Sequence, residues 1–268
     1  MRFAVKSSRR VRVLGAGLAL AASVVLTGCG TDSVAQTVKE AVQTPQQKLI
    51  DAAVKPTTAP YDYTVVQQGD PKEAETFTGS VNPPAKAYNQ KSVDKTEEYT
   101  LSLELRVIDQ KSWVKVNLEA DPDAGFVEYP KKWMALDQSR LTTKLVFGPQ
   151  DEDPVRLDAL FTSIVDATED SPGKFSGTIN LAEQPKSEFF AAETMKALGD
   201  KANALPFTTT VTDGVVTEFV LSAPATSVSK AQTYTVTYQK PGSGTPITAP
   251  PAAETTETPD SVYELLAS

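Results

Sequence analysis

The chain reads as an α+β fold, an antiparallel sheet with two to three helices, and three observations lead there. Apolar residues alternate singly with polar ones along several short segments. The pair Asp213-Gly214 sits between two such segments. Apolar residues at helical spacing interrupt the series. Period-two alternation with one polar face marks antiparallel strands that bury one side. Asp-Gly between strands is the residue choice of a type I′ hairpin. Helices gathered on one face of such a sheet make the α+β class.

The N-terminus comes before any of this. Arg2, Lys6, Arg9, Arg10 and Arg12 precede an apolar stretch from Val13 to Leu26, the layout of a secretory signal peptide. The stretch is short for a membrane span. It ends in Leu26-Thr27-Gly28-Cys29, which resembles a bacterial lipobox, where the cysteine is diacylated and becomes the new N-terminus. Residues 1–28 are therefore expected to be a lipoprotein signal peptide, and Cys29 to carry the lipid. Arg9-Arg10 also allows a twin-arginine export route, although Arg12 stands where that signal wants an apolar residue.

Residues 29–45 read as a lipidated tether, 46–240 as a single domain and 241–268 as a Pro-, Thr- and Glu-rich tail. A Thr44-Pro45 break separates the tether from a helix of roughly ten residues that Pro56 to Pro60 closes. Tyr61, Tyr63 and Val65 then alternate with polar residues, as do Leu101, Leu103, Leu105 and Val107, and Val114, Val116 and Leu118. Asp109-Gln110 fits a hairpin between the last two runs, and Trp133 to Leu136 a further short strand. Asp153-Pro154 reads as an N-cap with proline at the first helical position. Leu157, Leu160, Phe161, Ile164 and Val165 then follow a helical repeat.

Strand Lys174–Leu181 separates this helix from a second, about Ser187 to Leu198, that presents Phe190, Thr194, Ala197 and Leu198 on one side and ends at Gly199. Phe207–Thr212 and Val215–Leu221 flank Asp213-Gly214, and Tyr234–Tyr238 is the last strand. Beyond it the tail is expected to run extended or disordered, with one helical turn from Ser261-Val262-Tyr263-Glu264.

Composition removes several classes of function. The 268 residues carry a net charge of −8, which falls to −13 without residues 1–28. Nucleic-acid partners need clustered Lys and Arg, and a polybasic grip on anionic lipid needs the same. The chain has no histidine, and its single cysteine is assigned to the anchor. The commonest general base, the commonest zinc ligand and any thiol nucleophile are absent, so neither an enzyme nor a cofactor is expected.

The remaining motifs read as structural. Asp121-Pro122-Asp123-Ala124-Gly125 opens like a calcium loop but has Gly125 at the fifth position and Lys132 at the twelfth, so a solvated turn is expected. Asp151-Glu152-Asp153 reads as helix N-terminal charge. Ser171-Pro172-Gly173-Lys174 has the spacing of a Ser-Lys pair but sits in a Pro-Gly turn.

In this order of elements the chain resembles the LppX/LprG-type lipoproteins of actinobacteria, relatives of the LolA-like half-barrel proteins. The carrying residues are Asp153-Pro154 with Leu157 and Leu160, Phe175 to Asn180, Phe207 to Leu221, Tyr234 to Tyr238, and Gly244-Thr245-Pro246-Ile247-Thr248-Ala249-Pro250. The resemblance spans about residues 45–251, and Lys240-Pro241-Gly242-Ser243-Gly244 departs from it. It implies a curved antiparallel half-barrel with helices over its concave face, and an apolar space holding the acyl chains of a lipid or lipoglycan.

On that reading the cavity candidates are Leu103, Trp113, Trp133, Leu157, Phe161, Ile164 and Phe190. Trp113 and Trp133 could equally serve a sugar-binding surface or plain packing. The implied role is a lipid carrier anchored on the extracytoplasmic face of the cell membrane. Its alternative is an envelope lipoprotein with a filled core that meets an unidentified protein partner.

Overall fold

The structure, a computed structural model, describes residues 43–53, 59–69, 75–121, 125, 127–142, 145, 153, 155–182 and 189–267. Helix α1 (Pro45–Ala52) is followed by β1 (Tyr61–Gln68), β2 (Glu75–Asn82), β3 (Ala87–Lys95), β4 (Tyr99–Ile108), β5 (Lys111–Ala120) and β6 (Trp133–Ala135). Helix α2 (Leu157–Phe161) leads into β7 (Ile164–Ser171) and β8 (Lys174–Ile179). Helix α3 (Ala192–Leu198) precedes β9 (Leu205–Thr212), β10 (Val215–Ala223) and β11 (Gln232–Tyr238). Strand β12 (Thr255–Thr256) and helix α4 (Asp260–Ala267) come last.

The strands form one sheet in the order β12-β6-β5-β4-β3-β2-β1-β11-β10-β9-β8-β7. Two meanders, β1 to β6 and β7 to β11, join where β1 pairs antiparallel with β11. The two-residue contact of β12 with β6 is parallel. The sheet is curved and does not close, since β12 and β7 remain at opposite edges.

Local chemistry sets the turns and helix ends. Thr44 Oγ1 accepts the Gln47 N–H at 3.2 Å with Pro45 in the first turn, so the expected Thr-Pro break is the start of α1 itself. Asp213 and Gly214 have φ of 53° and 76°, the two positive values that a type I′ turn requires.

The helix expected across Leu157 to Val165 is shorter. It stops at Phe161, and Ile164 and Val165 open β7, with Ile164 opposite Ile179 and Val165 60% exposed. Ile164 and Val165 continue the helical spacing, but the β-branched residues that follow Phe161 favour the strand once β8 offers an edge. The second helix also starts late, at Ala192, and Ala197 is exposed rather than buried. Its expected start at Ser187 lies outside the described residues.

Registers carry one face continuously across the sheet. Tyr63 lies beside Gly79 and Tyr238, Tyr88 beside Val107, Leu105 beside Val114, and Phe219 beside Val236. A bulge between Val216 and Glu218 keeps both Val216 and Phe219 on this face, each fully buried. Two hydrophobic clusters rest on it. The larger joins Leu49 of α1, Leu157, Leu160 and Phe161 of α2 and Leu198 of α3 to β1 and β7–β11. The smaller joins Leu101, Val114, Val116 and Met134 to Val262 of α4.

The segment after Lys240 is extended, as expected, but tied down along its length. Gly242 and Gly244 donate their N–H groups to Pro60 O, and Thr245 donates backbone and side-chain bonds to Asp62. Burial alone would raise the Asp62 pKa, and the bonds from Ser80 and Thr245 outweigh it, so the carboxyl sits below its ordinary value. Arg106 and Lys132 then donate to the Thr248 and Ala253 carbonyls, and Thr258 donates to Ala135 O.

A side chain at Gly244 would lie 2.5 Å from the Tyr61 backbone nitrogen, so only glycine lets the strap run this close to β1. The expected turn at Ser261 is the eight-residue α4. Arg140 stacks 3.8 Å from the Tyr263 ring and pairs with Asp260 at 2.7 Å.

Val262 is the fully buried anchor of this strap. A Val262→Asp variant should lose about 2–4 kcal/mol in chemical denaturation, as expected for a buried unpaired charge, and should become susceptible to protease between residues 240 and 259. An unchanged midpoint with the same protease resistance would show that α4 is peripheral.

Candidate functional site

Between the two clusters the same face of the sheet is only partly covered. Alternation turns Phe77 of β2, Gln90, Ser92 and Asp94 of β3, and Leu103 and Leu105 of β4 toward it, and all six are half-buried. Leu105 packs against both clusters, so the strip bridges them. Its floor is apolar along β4 and polar along β3.

The Gln90 carboxamide accepts from Tyr63 Oη at 3.2 Å, and Asp94 accepts from Tyr99 Oη at 3.2 Å. Burial, then the Asp94 carboxylate, raises the Tyr99 pKa, which keeps that phenol neutral. Tyr63 can lie across the sheet because Gly79 faces it. A Cβ there would be 2.5 Å from the ring. An apolar row, Phe77, Leu103 and Leu105, beside a polar row, Gln90, Ser92 and Asp94, suits a ligand with both apolar and polar parts.

The expected cavity residues divide into three groups. Leu103 lies in the strip, half-buried. Leu157, Phe161, Ile164 and Phe190 belong to the larger packed cluster. Leu157 and Phe161 have no accessible surface, so they border no empty space, and Phe161 packs edge to face on Phe219 at 5.7 Å. Ile164 and Phe190, at 7% and 3% exposure, come close to the same state.

Trp113 and Trp133 are on the opposite face. Trp113 pairs with Arg106 and Ala135, while Leu105 and Val114 turn the other way. Trp133 is buried there under the Arg106 guanidinium, 4.4 Å from its centroid. Expecting Trp113 beside Leu103 is thus corrected by the alternation that puts Trp113 in phase with Lys115.

Cys29, Asp123 and Asp151-Glu152 lie outside the described residues. Among the described residues no group of three or more His, Cys, Asp or Glu could hold a metal ion. Lys174 Nζ donates to Thr210 Oγ1 at 2.9 Å, across the sheet. Gln90, Ser92 and Asp94 carry no sequence signal, because β3 shows no apolar alternation to mark its inward side, and Phe77 of β2 stands among Thr, Gly and Ser with only Val81 in the same phase.

Asp153 is buried rather than exposed helix-end charge. Its carboxylate accepts from Leu157 N–H at 2.9 Å, Val155 N–H at 3.1 Å and Tyr238 Oη at 3.1 Å. It therefore satisfies the first turn of α2, which begins at Leu157 after Arg156 in the left-handed region (φ 56°), and Pro154, the expected first helical residue, lies outside the described residues. Burial pushes the Asp153 pKa up to about 6 despite these bonds, and pushes the Tyr238 hydroxyl well above its ordinary value.

No protein-family model matches the chain, and no curated protein does. Among solved structures it is similar to the crystal structure of an uncharacterized conserved protein from Thermus thermophilus. The identity is 13% and the TM-score 0.30, over 79% of this chain and 98% of that one.

Asp153 makes stability depend on pH. Its folded pKa lies above the unfolded value, so the folded state holds this proton more tightly and loses stability as pH rises from about 4 through about 6. Asp153→Asn cannot ionise. Denaturation at about pH 4 and about pH 8 should show the difference between variant and wild type moving toward the variant by roughly 2–3 kcal/mol. A pH-independent difference would contradict the assignment.

Proposed function

We propose that the chain is a membrane-anchored extracytoplasmic lipoprotein that binds a lipid or lipoglycan by its acyl chains and makes or breaks no bond. On this reading the sheet is a half-barrel whose concave side the helices cover, and the acyl chains lie along the strip between the two clusters. The supporting observation is that strip: Phe77, Leu103 and Leu105 turn inward on central strands yet remain half-exposed. Each methylene removed from water there contributes about 0.8 kcal/mol, so roughly ten of them supply about 8 kcal/mol before ordering losses. Gln90 and Asp94 would meet a polar linkage, and the lack of a dense polar shell makes selectivity loose. Diacylation at Cys29 would hold the protein at the membrane, since two chains make a stable anchor.

A second reading keeps the same anchor with a filled core that meets a protein partner. The full burial of Leu157 and Phe161 favours it.

Native mass spectrometry of residues 30–268, expressed in a lipid-containing cytoplasm, separates the two readings. Adducts of phospholipid or glycolipid mass support the carrier. Ser92 lies in the strip opposite Leu103, so Ser92→Trp should fill it and reduce the adducts at least about tenfold with little change in stability. A clean mass before and after incubation with lipid extract leaves the protein-contact reading.

The anchor is tested separately. Cys29→Ser should abolish palmitate incorporation and move the protein out of the membrane fraction, and retained labelling would refute the lipobox assignment.

A further inference from the structure

The face of the sheet opposite the strip carries a different chemistry. On β3 to β5 it presents Lys91, Lys95, Lys111 and Lys115 against Glu104 and Glu119, in a chain whose overall charge is −8. A groove of about 350 Å³ lies over these strands, lined by Lys91, Ser102, Glu104, Lys115, Asn117 and Lys131.

Its floor is two rows of registered residues. Lys91, Glu104 and Lys115 form one, and Val93, Ser102 and Asn117 the other. Lys131, just before β6, supplies a side wall. Opposite charges in one row ordinarily pair across strands. Here Glu104 instead turns to Arg106, 3.6 Å away, and Arg106 is further held by Thr248 O at 2.8 Å and by Trp133. Among the described residues neither Lys91, Lys115 nor Lys131 lies within ion-pair distance of a carboxylate. Three ammonium groups thus line one concavity with no paired carboxylate among the described residues.

We propose that this groove binds an anionic saccharide, with Lys91, Lys115 and Lys131 on its carboxylate or phosphate groups and Ser102, Asn117 and Glu104 on its hydroxyls. The mixture of groups selects this class. A bare inorganic anion would satisfy the lysines but would face the Glu104 carboxylate, whereas sugar hydroxyls donate to Glu104 and accept from Asn117. The site is recessed, and its lining of three lysines, Glu104, Ser102 and Asn117 outnumbers Val93 and Val116, so it offers no apolar plane to a lipid surface. It lies across the sheet from the acyl strip and stands whether or not the carrier reading holds.

The test is calorimetric titration of the full chain in detergent with oligogalacturonate, neutral dextran oligomers and inorganic phosphate, at low and near-physiological salt. Oligogalacturonate should bind saturably, and more weakly as salt rises. The triple variant Lys91→Gln, Lys115→Gln, Lys131→Gln should bind at least tenfold more weakly with an unchanged unfolding midpoint. Asn117→Ala should weaken binding without altering its salt dependence. Neutral dextran should not bind.

The proposal is overturned if oligogalacturonate fails to bind, or if the triple variant binds as well as the wild type. It is overturned too if phosphate alone binds as tightly, which would make this a simple anion site. Binding to phosphatidylglycerol vesicles in place of oligogalacturonate would make it a membrane contact and overturn it equally.

Discussion

The pairing of β1 with β11 is the contact on which the rest of the fold depends. Each meander alone exposes an edge and half a hydrophobic face, and the six registered pairs from Tyr63–Tyr238 to Gln68–Thr233 make them one sheet. The seam joins segments about 170 residues apart, so its loop-closure entropy must be met before its hydrogen bonds form. Other parts of the fold attach at the same place. Tyr238 packs against Tyr61 with ring centroids 6.0 Å apart and donates to the buried Asp153 that caps α2. Asp62, next to Tyr61, holds the strap through Thr245. Seam, α2 and the start of the strap therefore meet around Tyr61 and Tyr238.

Most strands were legible because their side chains report the environment of each face. Leu101 to Val107 and Val114 to Leu118 alternate strictly, and Asp213-Gly214 leaves the chain one inexpensive way to turn. The helix boundaries were harder to read. Leu157, Leu160, Phe161 and Ile164 satisfy a helical period and also satisfy a single turn followed by a strand. Only the neighbouring edge of β8, distant information for a local pattern, decides between them. The strap was legible as extended chain but not as an ordered part of the domain, because it is held by backbone carbonyls and by side chains of other strands. Its composition of Pro, Thr and Glu carries no trace of Arg106 or Asp62.

The cavity residues show what a list of large apolar side chains omits. Phe161 and Leu157 are apolar because they fill a core, and complete burial leaves them no surface to offer a ligand. Trp113 belongs to the other face, a fact carried by its odd number beside Lys111, Lys115 and Asn117 rather than by its hydrophobicity. Leu103 is the candidate whose phase and partial exposure both agree with a binding surface.

Strand β3 carries polar residues in both phases. Its sequence, Ala87 to Lys95, has no apolar alternation and would ordinarily argue against a central position. It holds that position because both neighbours pair along its length, with eight registered pairs to β2 and nine to β4. The backbone ladder thus stabilises the strand without help from a continuous buried side-chain face, and most of its residues are released from packing on both sides. Burial within it is confined to Ala87 and Tyr88, at its start. Gln90, Ser92 and Asp94 put polar groups into an otherwise apolar strip, and Lys91 puts a charge into the outer groove. A central strand with polar residues in both phases is more informative about function than the apolar strands around it, because burial does not explain its composition.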